Sequence, residues 1–86
     1  DGVLFRAGEP MRSAFVAQSG GFKTVAMNEA GDEQVIGFYF PGELIGLEGL
    51  RDGRFRTDAV ALEAAQVCEV PLTALERVAA QRPEFQ

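Results

Sequence analysis

Cys68 is the only thiol in the chain, and histidine is absent. That pair of facts removes most site chemistry at once. Without imidazole there is no Ser-His or Cys-His nucleophile and no His-built zinc or iron centre, and no side chain has an unperturbed pKa near neutrality. One cysteine cannot close a disulfide or enclose a metal with several thiolates from this chain. Standing in an apolar run, Cys68 reads by itself as a small, inert core residue. The other concentration of chemistry is Arg51, Arg54 and Arg56 around Asp52-Gly53. Three cations in six residues read as a solvated loop, or as a small-anion site if backbone N–H groups converge with them.

The chain has 86 residues, enough for one compact core, with 8 Lys+Arg against 13 Asp+Glu for a net charge of −5. That sign opposes phosphate-backbone binding by counterion release, so the chain is expected not to grip nucleic acid itself. No apolar run reaches bilayer length and the opening residues do not form a signal segment, which points to a cytoplasmic protein with no membrane partner. Nothing in the composition supports an enzyme. A start without Met and an end at Arg82-Pro83-Glu84-Phe85-Gln86 suggest a piece of a larger protein.

Short β-branched and aromatic stretches between glycine-containing breaks predict an all-β sandwich or barrel. Strands are expected at Val3–Arg6, Ala14–Gln18, Phe22–Asn28, Glu33–Phe40, Leu44–Ile45, Ala59–Glu63 and Gln66–Val70, arranged as a meander of hairpins. Ser19-Gly20-Gly21 and Asn28-Glu29-Ala30-Gly31-Asp32 supply hairpin turns. Phe5, Phe15, Phe22, Phe38 and Phe40 are expected to fill the interior, with Tyr39 pointing outward. After Pro71, Thr73 and Glu76 have capping-box spacing, and Leu75, Val78 and Ala79 repeat helically, so a short helix is expected from about Ala74 to Gln81.

Three segments in order resemble the effector domain of CRP/FNR-type transcription regulators, closest to the FNR branch. They are Leu4-Phe5-Arg6-Ala7-Gly8-Glu9-Pro10; Ser19-Gly20-Gly21-Phe22-Lys23-Thr24 with Gly31-Asp32-Glu33-Gln34-Val35-Ile36-Gly37-Phe38; and Pro41-Gly42-Glu43-Leu44-Ile45-Gly46-Leu47 through Val67-Cys68-Glu69-Val70-Pro71. The resemblance implies a jelly-roll barrel (a double-stranded β-helix of the cyclic-nucleotide-binding type) spanning residues 1–86 as one domain. It also implies a homodimeric parent with an N-terminal cysteine segment, a dimerisation helix and a helix-turn-helix domain, acting on DNA and RNA polymerase.

Aligned on Gly42 to Gly46, the resemblance puts Leu47 where a nucleotide binder carries its ribose carboxylate. Thr57 and Asp58 then stand where the phosphate arginine and its neighbouring hydroxyl belong. A buried phosphate must be paired and hydrogen-bonded, so Gly46, Leu47, Thr57 and Asp58 read as a degenerate nucleotide pocket. Another register, Glu43 or Glu48 with Arg56-Thr57, gives separations of roughly thirteen or eight residues instead of about ten. The strand end Val67-Cys68-Glu69-Val70-Pro71 resembles the one that carries a cluster cysteine in oxygen-sensing FNR proteins. This implies that Cys68 is one of four ligands of a [4Fe–4S] cluster in the parent, while the chain alone binds no iron. Asn28, Glu29, Gly31 and Asp32 match an exposed hairpin that touches RNA polymerase in this family, and they read equally as a solvated tip. The function these expectations favour is an oxygen- or redox-responsive sensor domain. The alternative is a small-molecule-binding regulatory barrel, with cyclic nucleotide as one ligand.

Overall fold

The computed structural model describes residues 2–81, with the side chains of 2–77. Seven strands follow in chain order: β1 (Val3–Phe5), β2 (Ser13–Ser19), β3 (Phe22–Met27), β4 (Glu33–Tyr39), β5 (Leu44–Ile45), β6 (Asp58–Ala61) and β7 (Gln66–Pro71). A 3-10 turn spans Leu47–Gly49, and helix α1 (Leu72–Gln81) closes the described chain. All seven expected strands are present, within two residues at each end. The helix starts two residues earlier than expected, so Thr73 lies inside its first turn instead of capping it.

The strands form two antiparallel sheets, ordered β1-β6-β3-β4 and β5-β2-β7. Consecutive strands pair only at β3–β4; the ladders β1–β6, β3–β6, β2–β5 and β2–β7 join segments far apart in sequence. This is jelly-roll wiring, and it corrects the expected meander. Ser19-Gly20-Gly21 is accordingly no hairpin turn, because it carries the chain from one sheet to the other. Gly20 sits there at φ 71, and a Cβ on it would stand 2.7 Å from the Ala64 carbonyl oxygen, so both its backbone and its surroundings demand glycine.

The core lies between the sheets: Phe5, Phe22 and Ala59 from the first, Ala14, Ala17 and Ile45 from the second, and Met11 and Phe55 from the connections. Phe5 and Phe55 stack with centroids 3.8 Å apart and planes 8° from parallel, and Phe15 joins them 6.1 Å from Phe5. Rings of this size supply large buried apolar area, which a small domain needs to offset chain entropy. Phe55 falls outside every expected strand, between two arginines.

Phe38 and Phe40 are exposed, at 55% and 51%, and Tyr39 packs against the core, the reverse of the expected parity. The register explains this. Phe22 and Thr24 face inward, and Tyr39 and Gly37 lie directly opposite them, so Phe38 shares the outer face with Lys23. Between Thr24↔Gly37 and Val25↔Val35 the ladder leaves Ile36 as the extra residue of a β-bulge.

Truncating Phe55 to Ala should cost about 3–5 kcal/mol, a large share of the stability of so small a domain. Urea unfolding followed by circular dichroism measures it, and a loss below about 1 kcal/mol would mean that the stack is not a core element.

Candidate functional site

Gly46 turns the chain out of β5 at φ 99 into the 3-10 turn. Its Cα approaches the aromatic stack so closely that a Cβ would meet Phe55 Cε1 at 3.0 Å and Phe5 Cε2 at 3.4 Å. The core-facing side of this turn therefore packs directly on the Phe5 and Phe55 rings. Leu47 is 39% exposed, and Thr57 is buried ahead of β6. Asp58 turns away to the loop after β1, where Oδ1 accepts the Ala7 N–H at 2.7 Å and Oδ2 lies 4.0 Å from Arg6.

The carboxylates of the other register are committed elsewhere. Glu43 Oε1 accepts the Phe40 N–H at 2.7 Å, and Glu48 Oε2 accepts the Tyr39 hydroxyl at 2.9 Å. The three arginines do not converge. Arg54 donates to the Gly8 carbonyl at 2.7 Å, Arg56 Nε stands 3.9 Å from Asp52, and Arg51 has no polar partner among the described residues. A shallow apolar groove of about 160 Å³ lies elsewhere, lined by residues that include Val3, Leu4, Phe22 and Val67. It shares no residue with the Gly46–Asp58 frame.

Cys68 is exposed, which corrects its reading as a core residue. Strand alternation is the cause: Val67 pairs with the buried Ala17 and points inward, so Cys68, opposite Val16, points out. Its neighbour Glu69 accepts a 2.7 Å bond from the buried Ser13 hydroxyl, which pins this strand end to β2. No cluster of three or more His, Cys, Asp or Glu suited to a metal occurs among the described residues.

The β3–β4 turn is built by Asn28, whose Oδ1 accepts the Asp32 N–H at 2.8 Å while its carbonyl accepts from Gly31 at 3.0 Å. Glu29 and Asp32 project from it as exposed carboxylates without ion-pair partners among the described residues. Asn28 and Gly31 thus shape the tip, and the two acids carry its charge.

Sequence reasoning missed the inward Tyr39. Burial first, then the hydrogen bond to Glu48 and the charges of Glu48 and Glu43, push its phenol above the ordinary value of 10.0, with Thr24 pulling slightly the other way. Thr24 Oγ1 itself is buried without a partner at hydrogen-bonding geometry. A raised pKa in the folded state gives a contribution that is complete below the unfolded value and lost as pH rises through the folded one. Since the chain holds one tyrosine and no tryptophan, ultraviolet phenolate titration reads this group alone. It should titrate above 10, and Glu48→Gln should bring it down; an unshifted wild-type curve would contradict the Tyr39–Glu48 contact.

The sequence profile of the cyclic nucleotide-binding domain matches residues 1–82. The transcriptional activator protein Anr of Pseudomonas aeruginosa is 42% identical over 82 residues, 95% of this chain and 34% of that protein. The fumarate and nitrate reduction regulatory protein of Salmonella typhimurium is 35% identical over 83 residues, 96% of this chain and 33% of that protein. The chain thus spans about a third of the length of the curated relatives it matches. Among solved structures, the catabolite activator protein of Thermus thermophilus superposes with a TM-score of 0.80 at 22% identity, covering 94% of this chain and 38% of that one, a likeness of fold. No helix among the described residues is long and apolar enough to cross a membrane. The barrel, its wiring and these matches agree: the chain belongs to the cyclic nucleotide-binding domain family, in the form carried by Anr/FNR-type transcription regulators.

Proposed function

We propose that this chain is the non-catalytic sensor domain of an FNR-type regulator and that its responsive group is on the outside of the barrel. The observation that carries this reading is the exposed thiol of Cys68 at a strand end clamped by Ser13 and Glu69. A thiol that is only a core filler has no need of solvent, whereas a cluster ligand must be reachable by the segment that brings the other thiolates. Cys68 would supply one of four thiolates to a [4Fe–4S] cluster, the others coming from a segment of the parent outside residues 1–86. Such a cluster, when bound, supplies sensitivity to oxidation. The protein's own contribution is to fix the direction of Cys68 through the β2–β7 ladder, so that a change at the thiol is felt by a sheet and not by a loose loop.

The rest of the parent is assigned on the same basis: a homodimer with a dimerisation helix and a helix-turn-helix domain, cytoplasmic, binding DNA and RNA polymerase. Two of its relatives carry names that fit an oxygen-linked role, the anaerobic regulatory protein of Pasteurella multocida and the electron transport regulator A of Shewanella oneidensis. Glu29 and Asp32 on the tip shaped by Asn28 and Gly31 form the polymerase-facing charge. Gly46, Leu47, Thr57 and Asp58 are a nucleotide pocket that has lost its function. Leu47 offers no carboxylate, Thr57 and Asp58 offer no cation, and the stacked Phe5 and Phe55 rings pack against the Gly46 turn.

Anaerobic reconstitution of the full-length parent, followed by iron and sulfide quantification and Mössbauer spectroscopy, should give four irons per protomer. Cys68→Ser should abolish the cluster signal. A cluster that survives this substitution, or a parent that takes up no iron, would overturn the reading.

A further inference from the structure

We infer, resting on the assignment of Cys68 as a thiolate donor, that Ser13 is its positioning residue: through Glu69 it fixes the direction of the thiol from the opposite face of the sheet. Ser13 is 5% exposed. A hydroxyl so deeply placed has to be hydrogen-bonded, and the Ser13 Oγ donates to Glu69 Oε2 at 2.7 Å. The acceptor belongs to the residue that directly follows Cys68.

Successive residues of a strand point to opposite faces. Phe15 and Ala17 of β2 pack on the core, and Glu69 and Val67 of β7 lie directly opposite them. Glu69 therefore turns inward toward Ser13, while Cys68 turns its thiol out. The bond restrains the backbone under Cys68 from behind and leaves the outer side of the thiol open to an incoming segment.

The place of β7 in the sheet gives this restraint its weight. In the order β5-β2-β7 the strand lies at the edge and pairs with β2 alone. A strand held from one side opens locally more readily than a central one. Past Cys68 the register runs on through Glu69↔Phe15, Val70↔Ala14 and Pro71↔Ser13, and the Leu72 N–H then bonds the Arg12 carbonyl at 3.0 Å. Among the described residues, Ser13 to Glu69 is the one side-chain hydrogen bond that crosses from β2 to β7.

A metal ligand works best when a second layer of hydrogen bonds has already set its orientation. A thiol on a loosely held strand end would present itself in a spread of directions. A bond from a buried hydroxyl to a carboxylate, about twice as strong as one between neutral groups, narrows that spread. Ser13 itself does not touch the thiol; it acts through Glu69 and the backbone between them.

Because Cys68 is the single cysteine, a nitroxide attached to it reports on this position alone. In the 86-residue chain its spectrum should be that of an ordered label, and Ser13→Ala and Glu69→Ala should each make it mobile. Amide hydrogen exchange at Cys68 and Val70 should quicken about tenfold in both variants, the factor that one hydrogen bond to a charged group is worth, with the β3–β4 amides unchanged. Glu69→Gln, which keeps an acceptor oxygen, should stay within about threefold of the unsubstituted chain. The double alanine variant should be no looser than either single one, since both remove the same bond. Glu69 is exposed, so its variants open no core cavity, and circular dichroism reports that each variant is folded. In the full-length parent, reconstituted anaerobically, Ser13→Ala should shorten the lifetime of the cluster absorbance in air at least about threefold. A label and exchange rates unmoved by either alanine variant overturn the role of Ser13, whatever the parent binds. So does a loosened label with an unchanged cluster lifetime. A parent that takes up no iron contradicts the cluster assignment alone, and the label then still decides whether Ser13 fixes Cys68.

Discussion

The Phe5–Phe55 stack is the contact on which the rest of the molecule depends. It joins the first strand to the connection between the 3-10 turn and β6, two segments fifty residues apart in sequence, and fills the space between the sheets with parallel rings 3.8 Å apart. Gly46 is the geometric consequence, since its turn runs at φ 99 and so close to both rings that a Cβ there would press on Phe55 at 3.0 Å. The other buried positions between the sheets are small or aliphatic, among them Ala14, Ala17, Ala59, Ile45 and Met11, so Phe5, Phe22 and Phe55 supply most of the bulk.

Filling the interior moves chemistry to the exterior. The groups that could carry signal or contact lie on outward-facing positions: Cys68 on β7, and Glu29 and Asp32 on the β3–β4 tip. What holds them is rigid. Ser13 bonded to Glu69 sets the strand under Cys68, Asn28 bonded to Asp32 sets the tip, and Tyr39 bonded to Glu48 ties β4 to the 3-10 turn.

The strands were legible because β-branched and aromatic runs between glycines bound them almost residue by residue. Which strands pair was not, because turn residues such as Ser19-Gly20-Gly21 specify a reversal and say nothing about whether the chain returns to the same sheet. The parity of β4 misled for a definite reason. Hydrophobicity alone favours two phenylalanines inside over one tyrosine, but the register set by Phe22 and Thr24, and the bulge at Ile36, decide otherwise. Phe55 escaped notice because Arg54 and Arg56 flank it and give no period. At the site, Cys68 was legible as a residue of interest only through its strand-end resemblance; its exposure depends on the pairing Val16↔Cys68, which no local pattern encodes. The commitments of Glu43, Glu48 and Asp58 to backbone and tyrosine donors were likewise invisible before the fold placed those donors beside them.

Isothermal titration calorimetry of the chain with cyclic AMP tests most directly the claim that the barrel interior is closed and the responsive chemistry is outside. The packed Phe5–Phe55 floor, with neither a carboxylate at Leu47 nor a cation at Thr57 and Asp58, predicts no saturable heat up to about 1 mM ligand. A one-to-one complex with a dissociation constant near 1 µM, about −8 kcal/mol of binding free energy, would contradict it.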